Sequence, residues 1–142
     1  MKLIKVGVFL WILFFCNPTH TGTQVLITQE YQMHAFDKDT IVKIFTKKVT
    51  RWADGQLITV FIKPINSIEH KDFVQSWLNM SNSKYKQELE KQTYSGKSLS
   101  VVEVDSDAEM VLKISSTIGS IGYINYGVVI NTKQLKVLSN AN

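Results

Sequence analysis

The chain has 142 residues, 44% of them hydrophobic, which suits one domain with a real core. Two of its sixteen basic residues, Lys2 and Lys5, sit in an N-terminal segment that has no acidic residue. The remainder carries fourteen basic and twelve acidic residues, a balance too mild for a nucleic-acid-binding protein, and a single cysteine rules out an internal disulfide framework.

Lys2 and Lys5, the apolar run over residues 3–16 and the turn-prone residues 17–23 have the layout of a secretory signal peptide. The competing reading is a retained anchor, because no Ala-x-Ala cleavage site is present. Residues 1–23 are therefore assigned as signal peptide and 24–142 as one exported domain. Cleavage near Thr23 removes Cys16, the only cysteine, and a compact cysteine-free exported domain fits the bacterial periplasm.

Residues 24–28 are apolar, β-branched and short, and read as a first strand. Loop follows through His34. Asp37 then caps a helix whose Ile41, Ile44 and Phe45 recur at helical spacing, with Phe36 and Ile41 placed for a hydrophobic staple. Asp54-Gly55 marks a turn. Residues 57–62 read as a buried strand, which Pro64 stops because it has no N–H to donate.

Asn66 is the expected N-cap of the next helix, with Glu69 three residues later as a capping box requires. Phe73, Val74, Trp77 and Leu78 give that helix one apolar side, to about Asn79. Such a helix end offers free N–H groups and partial positive charge, which suit an anion, and Lys63 lies on the approach to it. The same residues also read as an ordinary capped helix with an exposed lysine and no ligand.

A further helix starts near Ser81 or Ser83 and stops before Gly96. Residues 99–104 read as a strand. Ser106 and Glu109 form a second capping box, opening a helix with Met110, Val111 and Ile114 on one face. Residues 121–124 read as a short strand in which Gly122 admits close approach by another element. Residues 126–130 and 135–138 are candidate further strands, and 140–142 a frayed end.

Helices alternating with apolar strands imply an α/β domain: a three-layer sandwich with a mostly parallel sheet. No clustered His, Cys or carboxylates suggest a metal or cofactor, and no nucleophile elbow, phosphate-cradling Gly-rich loop or dinucleotide fingerprint is present. Asp105 and Asp107 read as helix-opening residues, and enzymatic activity is disfavoured.

Four pieces of sequence carry a resemblance. They are Ile44-Phe45-Thr46-Lys47-Lys48 with Trp52-Ala53-Asp54-Gly55; Asn66-Ser67 with Phe73; Tyr94-Ser95-Gly96-Lys97; and Glu109-Met110-Val111 with Ile118-Gly119-Ser120-Ile121-Gly122-Tyr123. In order and spacing they resemble the second lobe of the phosphate-binding proteins that serve ABC importers, and are most like short, one-lobed members of the type II periplasmic-binding-protein superfamily. The resemblance implies a single such lobe, no cofactor, and inorganic phosphate or another oxyanion as ligand at Lys63, Asn66 and Ser67. Lys63 falls where the family has an arginine and Ser67 matches the family's serine, whereas Ile68 and Glu69 replace its glycine and threonine. A lysine lacks the two-pronged contact of a guanidinium, and a glutamate near the site repels phosphate unless its charge is occupied in capping. The absent first lobe leaves a second reading: a ligand-free module that docks on a membrane or envelope partner.

Overall fold

The computed structural model describes residues 22–31, 37–97, 100–128 and 130–138. Residues 1–21 of the signal-peptide segment, the Phe36 half of the staple, Leu99 and the C-terminal residues 139–142 lie outside them. Strand β1 is Thr23–Thr28, followed by a 3-10 turn at Gln29–Tyr31, helix α1 (Lys38–Phe45) and strand β2 (Thr59–Ile62). Helices α2 (Ile68–Leu78) and α3 (Asn82–Tyr94), strand β3 (Ser100–Glu103), helix α4 (Asp107–Ser116), and strands β4 (Ser120–Asn125) and β5 (Leu135–Leu138) complete the order.

The five strands form one sheet in the order β3-β2-β4-β1-β5. β2 pairs in parallel with β3 and β4, whereas β1 pairs antiparallel with β4 and β5. Four strands thus point the same way and β1 alone runs against them. Alternation along the strands splits the core in two. Val25, Ile27, Val60, Ile62, Ile121 and Tyr123 face Ile41, Ile44 and Phe45 of α1 and Phe73, Val74 and Trp77 of α2. Leu26, Phe61 and Ile124 face Met110 and Ile114 of α4. Helices therefore cover both faces, as the three-layer expectation requires.

Local sequence accounts for most helix ends. Asp37 Oδ1 accepts from the Thr40 N–H at 2.8 Å, and Ser81 and Ser106 cap α3 and α4 through the amides of Lys84 and Glu109. Asn79 closes α2 in the left-handed conformation. At α2 the expected cap is displaced by one residue: Ser67, not Asn66, is the N-cap, accepting from the His70 N–H at 3.1 Å. The displacement moves Glu69 to the second helical position, out of capping-box register. Asn66 Oδ1 instead accepts from Lys86 Nζ at 2.7 Å, tying the turn to α3. The Glu109 carboxylate is also one residue out, accepting from the Asp105 N–H rather than that of Ser106. The expected strand over 126–130 is absent among its described residues: Tyr126 and Gly127 turn the chain, Gly127 at φ 87°.

Helix α2 crosses the sheet rather than lying along one strand. Phe73 stacks on Tyr123 of β4 with ring centroids 3.8 Å apart, and Trp77 Nε1 donates to the Thr23 carbonyl of β1 at 2.8 Å. This crossing holds the α2 N-terminus over the end of β2.

Candidate functional site

β2 and β3 are adjacent and parallel, and the helices that follow them lie on opposite faces: α2 on the Val60 face, α4 on the Phe61 face. In open α/β sheets such a divergence opens a crevice at the carboxyl ends of the strands, where ligands bind. Here Lys63 leaves β2 on one side, and residues 105–107 lead into α4 on the other.

Lys63 continues the alternation of β2. Val60 and Ile62 face α2, so Phe61 and Lys63 face α4. The Lys63 side chain is 6% exposed, and its Nζ lies 2.9 Å from Asp107 Oδ1. Asn125 Nδ2 donates to Asp107 Oδ2 at 3.0 Å, and the Asn125 N–H to Oδ1 at 3.4 Å. Asp107 is the first residue of α4, where the helix dipole favours its charge. The pair thus bridges β2, β4 and α4.

Ser67 and Asn66 lie on the other side of Lys63. The Ser67 hydroxyl caps α2 and the Asn66 amide holds Lys86. The Lys71 N–H goes to the Ser67 carbonyl, while the amides of Ile68 and Glu69 make no bond among the described residues. Ile68 is 82% exposed, so this end of α2 opens to solvent. The structure joins neither Asn66 nor Ser67 to Lys63 by a side-chain bond; their side chains serve the helix end, and that of Lys63 serves α4.

Three residues that the sequence reading did not select connect the two sides. The Tyr123 hydroxyl accepts from the Lys63 N–H at 2.9 Å and lies 2.6 Å from His70 Nδ1. With the phenol proton directed to Nδ1, the His70 proton sits on Nε2, a buried atom with no partner. Burial pushes the Tyr123 phenol well above its ordinary range, so it stays protonated. Burial, helped by Lys86, depresses His70 to about 4. Asp107 is the third, read from sequence only as a helix opener.

His70 predicts acid sensitivity. The unfolded chain takes up the imidazole proton near pH 6.5 and the folded chain only near 4, so stability falls as pH drops through that interval. The loss approaches about 3 kcal/mol once the lower value is passed. Urea titrations from pH 7 to 4 should show it, and His70→Gln should flatten the profile; an unchanged profile in the variant would reject His70 as its source.

Carboxylates outnumber cations at this end of the sheet: Glu69 on α2, Glu103 ending β3, and Asp105, Asp107 and Glu109 at the start of α4, against Lys63, Lys71 and Lys86. Among the described residues no group of three or more His, Cys, Asp or Glu is placed to hold a metal ion.

No protein-family model matches the sequence, and no curated protein matches it. Solved structures do match the fold. PstS from Borrelia burgdorferi superposes with a TM-score of 0.59 at 18% identity, over 75% of this chain and 41% of that one. An ABC-type phosphate transport receptor from Vibrio cholerae gives 0.53 at 15% identity, over 86% and 48%. A possible phosphate binding protein from Planctomyces limnophilus gives 0.51 at 18% identity, over 75% and 36%. The chain thus spans less than half the length of each of these proteins, and the likeness is one of fold: a five-stranded α/β domain that superposes on part of each.

Proposed function

We propose that this chain is an exported binding-protein-like module of the phosphate-importer type, without enzymatic activity, that holds phosphate or another oxyanion weakly at the crevice between β2 and β3. The observation that carries this reading is the open end of α2. Two unbonded amides, of Ile68 and Glu69, stand beside the Ser67 hydroxyl, directly after the turn that leaves Lys63. Amides at a helix N-terminus carry partial positive charge that an oxyanion neutralises. The fold likeness to phosphate-binding proteins supports the same ligand class. Weak affinity follows from the surroundings: the Lys63 charge is already matched by Asp107, the rim carboxylates repel an anion, and one lobe leaves the ligand in water.

A second reading has its own observation. The side chains of Lys63, Asn66 and Ser67 all have partners within the chain. A lobe so closed on itself suits a ligand-free module that docks on a membrane or envelope protein.

Calorimetry with phosphate, and with sulfate as a second oxyanion, separates the two. Oxyanion binding should give heat and a raised melting temperature. Ser67→Gly should weaken both while costing helix α2 only a few tenths of a kcal/mol, because glycine is itself an acceptable N-cap. No heat and no melting shift with either anion would reject the oxyanion reading, and crosslinking in the envelope would then test the docking one.

A further inference from the structure

The near-neutral balance of the exported chain conceals a strong segregation of charge. Residues 43–51 contain Lys43, Lys47, Lys48 and Arg51 with no carboxylate, and residues 84–97 contain Lys84, Lys86, Lys91 and Lys97 with only Glu88 and Glu90. The rest of the chain from residue 24 has six cations against ten carboxylates. The fold joins the two basic segments although they are some forty residues apart in sequence. Lys47 Nζ donates to Thr93 Oγ1 at 3.2 Å, and Lys97 Nζ to the Lys48 carbonyl at 3.3 Å. Glu88 lies 3.3 Å from Lys84 and 4.0 Å from Lys48. The Lys84 bond, with Lys48 and Lys91 nearby, holds the Glu88 carboxyl below its ordinary range, which reports a local excess of positive charge.

The basic face has an apolar centre. Ile65 and Leu89 line a groove together with Lys47, Lys86, Thr93 and Tyr94, and with Glu90 as its one carboxylate. Tyr94 is 90% exposed, an aromatic ring in water with no packing role to explain it. Lysines with long apolar stems around a projecting tyrosine match the boundary of an anionic bilayer, where phosphate headgroups meet the amines and the ring sits at headgroup level.

We propose that the face formed by the end of α1 and by α3 is a docking surface for anionic phospholipid membranes. It meets the candidate oxyanion site at one edge, where Lys86 Nζ donates to Asn66 Oδ1 at 2.7 Å. The surface rests on the charge distribution and on Tyr94, and stands or falls independently of the oxyanion reading.

Both halves of the core are built from residues between Val25 and Leu135, so the chain is tested without residues 1–21. It is sedimented with vesicles of phosphatidylcholine alone and with vesicles in which part of that lipid is replaced by phosphatidylglycerol. Binding should require phosphatidylglycerol and fall as salt screens the lysines. Replacing Lys47, Lys86 and Lys91 together by Gln should weaken it about a hundredfold, since each lysine near an anionic surface contributes about fivefold. Tyr94→Ala should weaken it further. The same charge removed elsewhere, by Lys71→Gln, Lys113→Gln and Lys133→Gln, should leave binding within a few fold. Inorganic phosphate should release the protein no better than chloride at equal ionic strength, which separates this surface from an oxyanion site. Equal binding to both vesicle types, no binding to either, equal loss in the two triple variants, or specific release by phosphate would each overturn the proposal.

Discussion

Asp107→Ala is expected to lower the free energy of unfolding by about 3 kcal/mol, a loss far beyond that of a surface ion pair. The Lys63 ammonium it abandons is 6% exposed and has turned away from solvent to reach Asp107 at 2.9 Å. Asn125, whose side chain and amide both donate to that carboxylate, loses its acceptor as well. The Asp107 side chain is 20% exposed, so some water reaches the gap and the loss belongs at the lower end for a broken buried pair. Removing both charges, as Lys63→Met with Asp107→Ala, should recover most of it, because the cost lies in the orphaned charge rather than in the missing attraction. Urea denaturation of the two single variants and the double variant closes the cycle. A single-variant loss under about 1 kcal/mol would mean that Lys63 reaches water once released. It would then be free to serve an anion.

The second large effect concerns Gly122. It faces α4 from the middle of β4, and a Cβ there would stand 2.6 Å from Met110 Sδ, 2.8 Å from Ile114 Cδ1 and 3.1 Å from the Phe61 carbonyl oxygen. The two side-chain ends are flexible, although both residues are fully buried; the carbonyl belongs to the neighbouring strand and is fixed. Gly122→Ala should therefore destabilise by about 2 kcal/mol, the range of an overpacked core, even after the entropy that alanine removes from the unfolded chain. Gly122→Val, whose methyls point into the same helix, should prevent α4 from docking. In a Met110→Ala background the alanine should cost distinctly less, since the first clash is gone. Thermal melts of the four combinations test this, and additive losses would show that the sulfur is not the obstacle.

The two expectations fall on the same helix. α4 is positioned at its first turn by Asp107 against Lys63 and Asn125, and along its length by Met110 and Ile114 over Gly122. The crevice wall contributed by residues 105–107 is only as fixed as that docking. Damage to Gly122 should thus loosen the candidate site without touching a residue in it.

Much of this was legible in the chain. Periodicity found α1, α2 and α4, because each buries one stripe: Ile41, Ile44 and Phe45 on α1, Phe73, Val74 and Trp77 on α2, Met110 and Ile114 on α4. Capping residues placed the starts of α1 and α4 correctly and left α3 between Ser81 and Ser83, since a cap is a contact within four residues. At α2 two good caps stood side by side, and the choice went to Ser67 because α3 supplied Lys86 as a partner for Asn66. Strand direction was partly hidden: β1 and β5 read as ordinary apolar strands, and only pairing with β4 and with each other makes β1 the one that runs backwards.

What the sequence determined by itself was most of the elements, the two-faced burial of the strands and the closeness required at Gly122, because each depends on residues a few positions apart or on the period of one element. The pairing of Lys63 with Asp107, the path from Lys63 through Tyr123 to His70, and the merging of two basic segments into one face were decided only in three dimensions. Their partners lie some forty to sixty residues apart, and no local pattern records which carboxylate a lysine will meet once the strands and helices have packed.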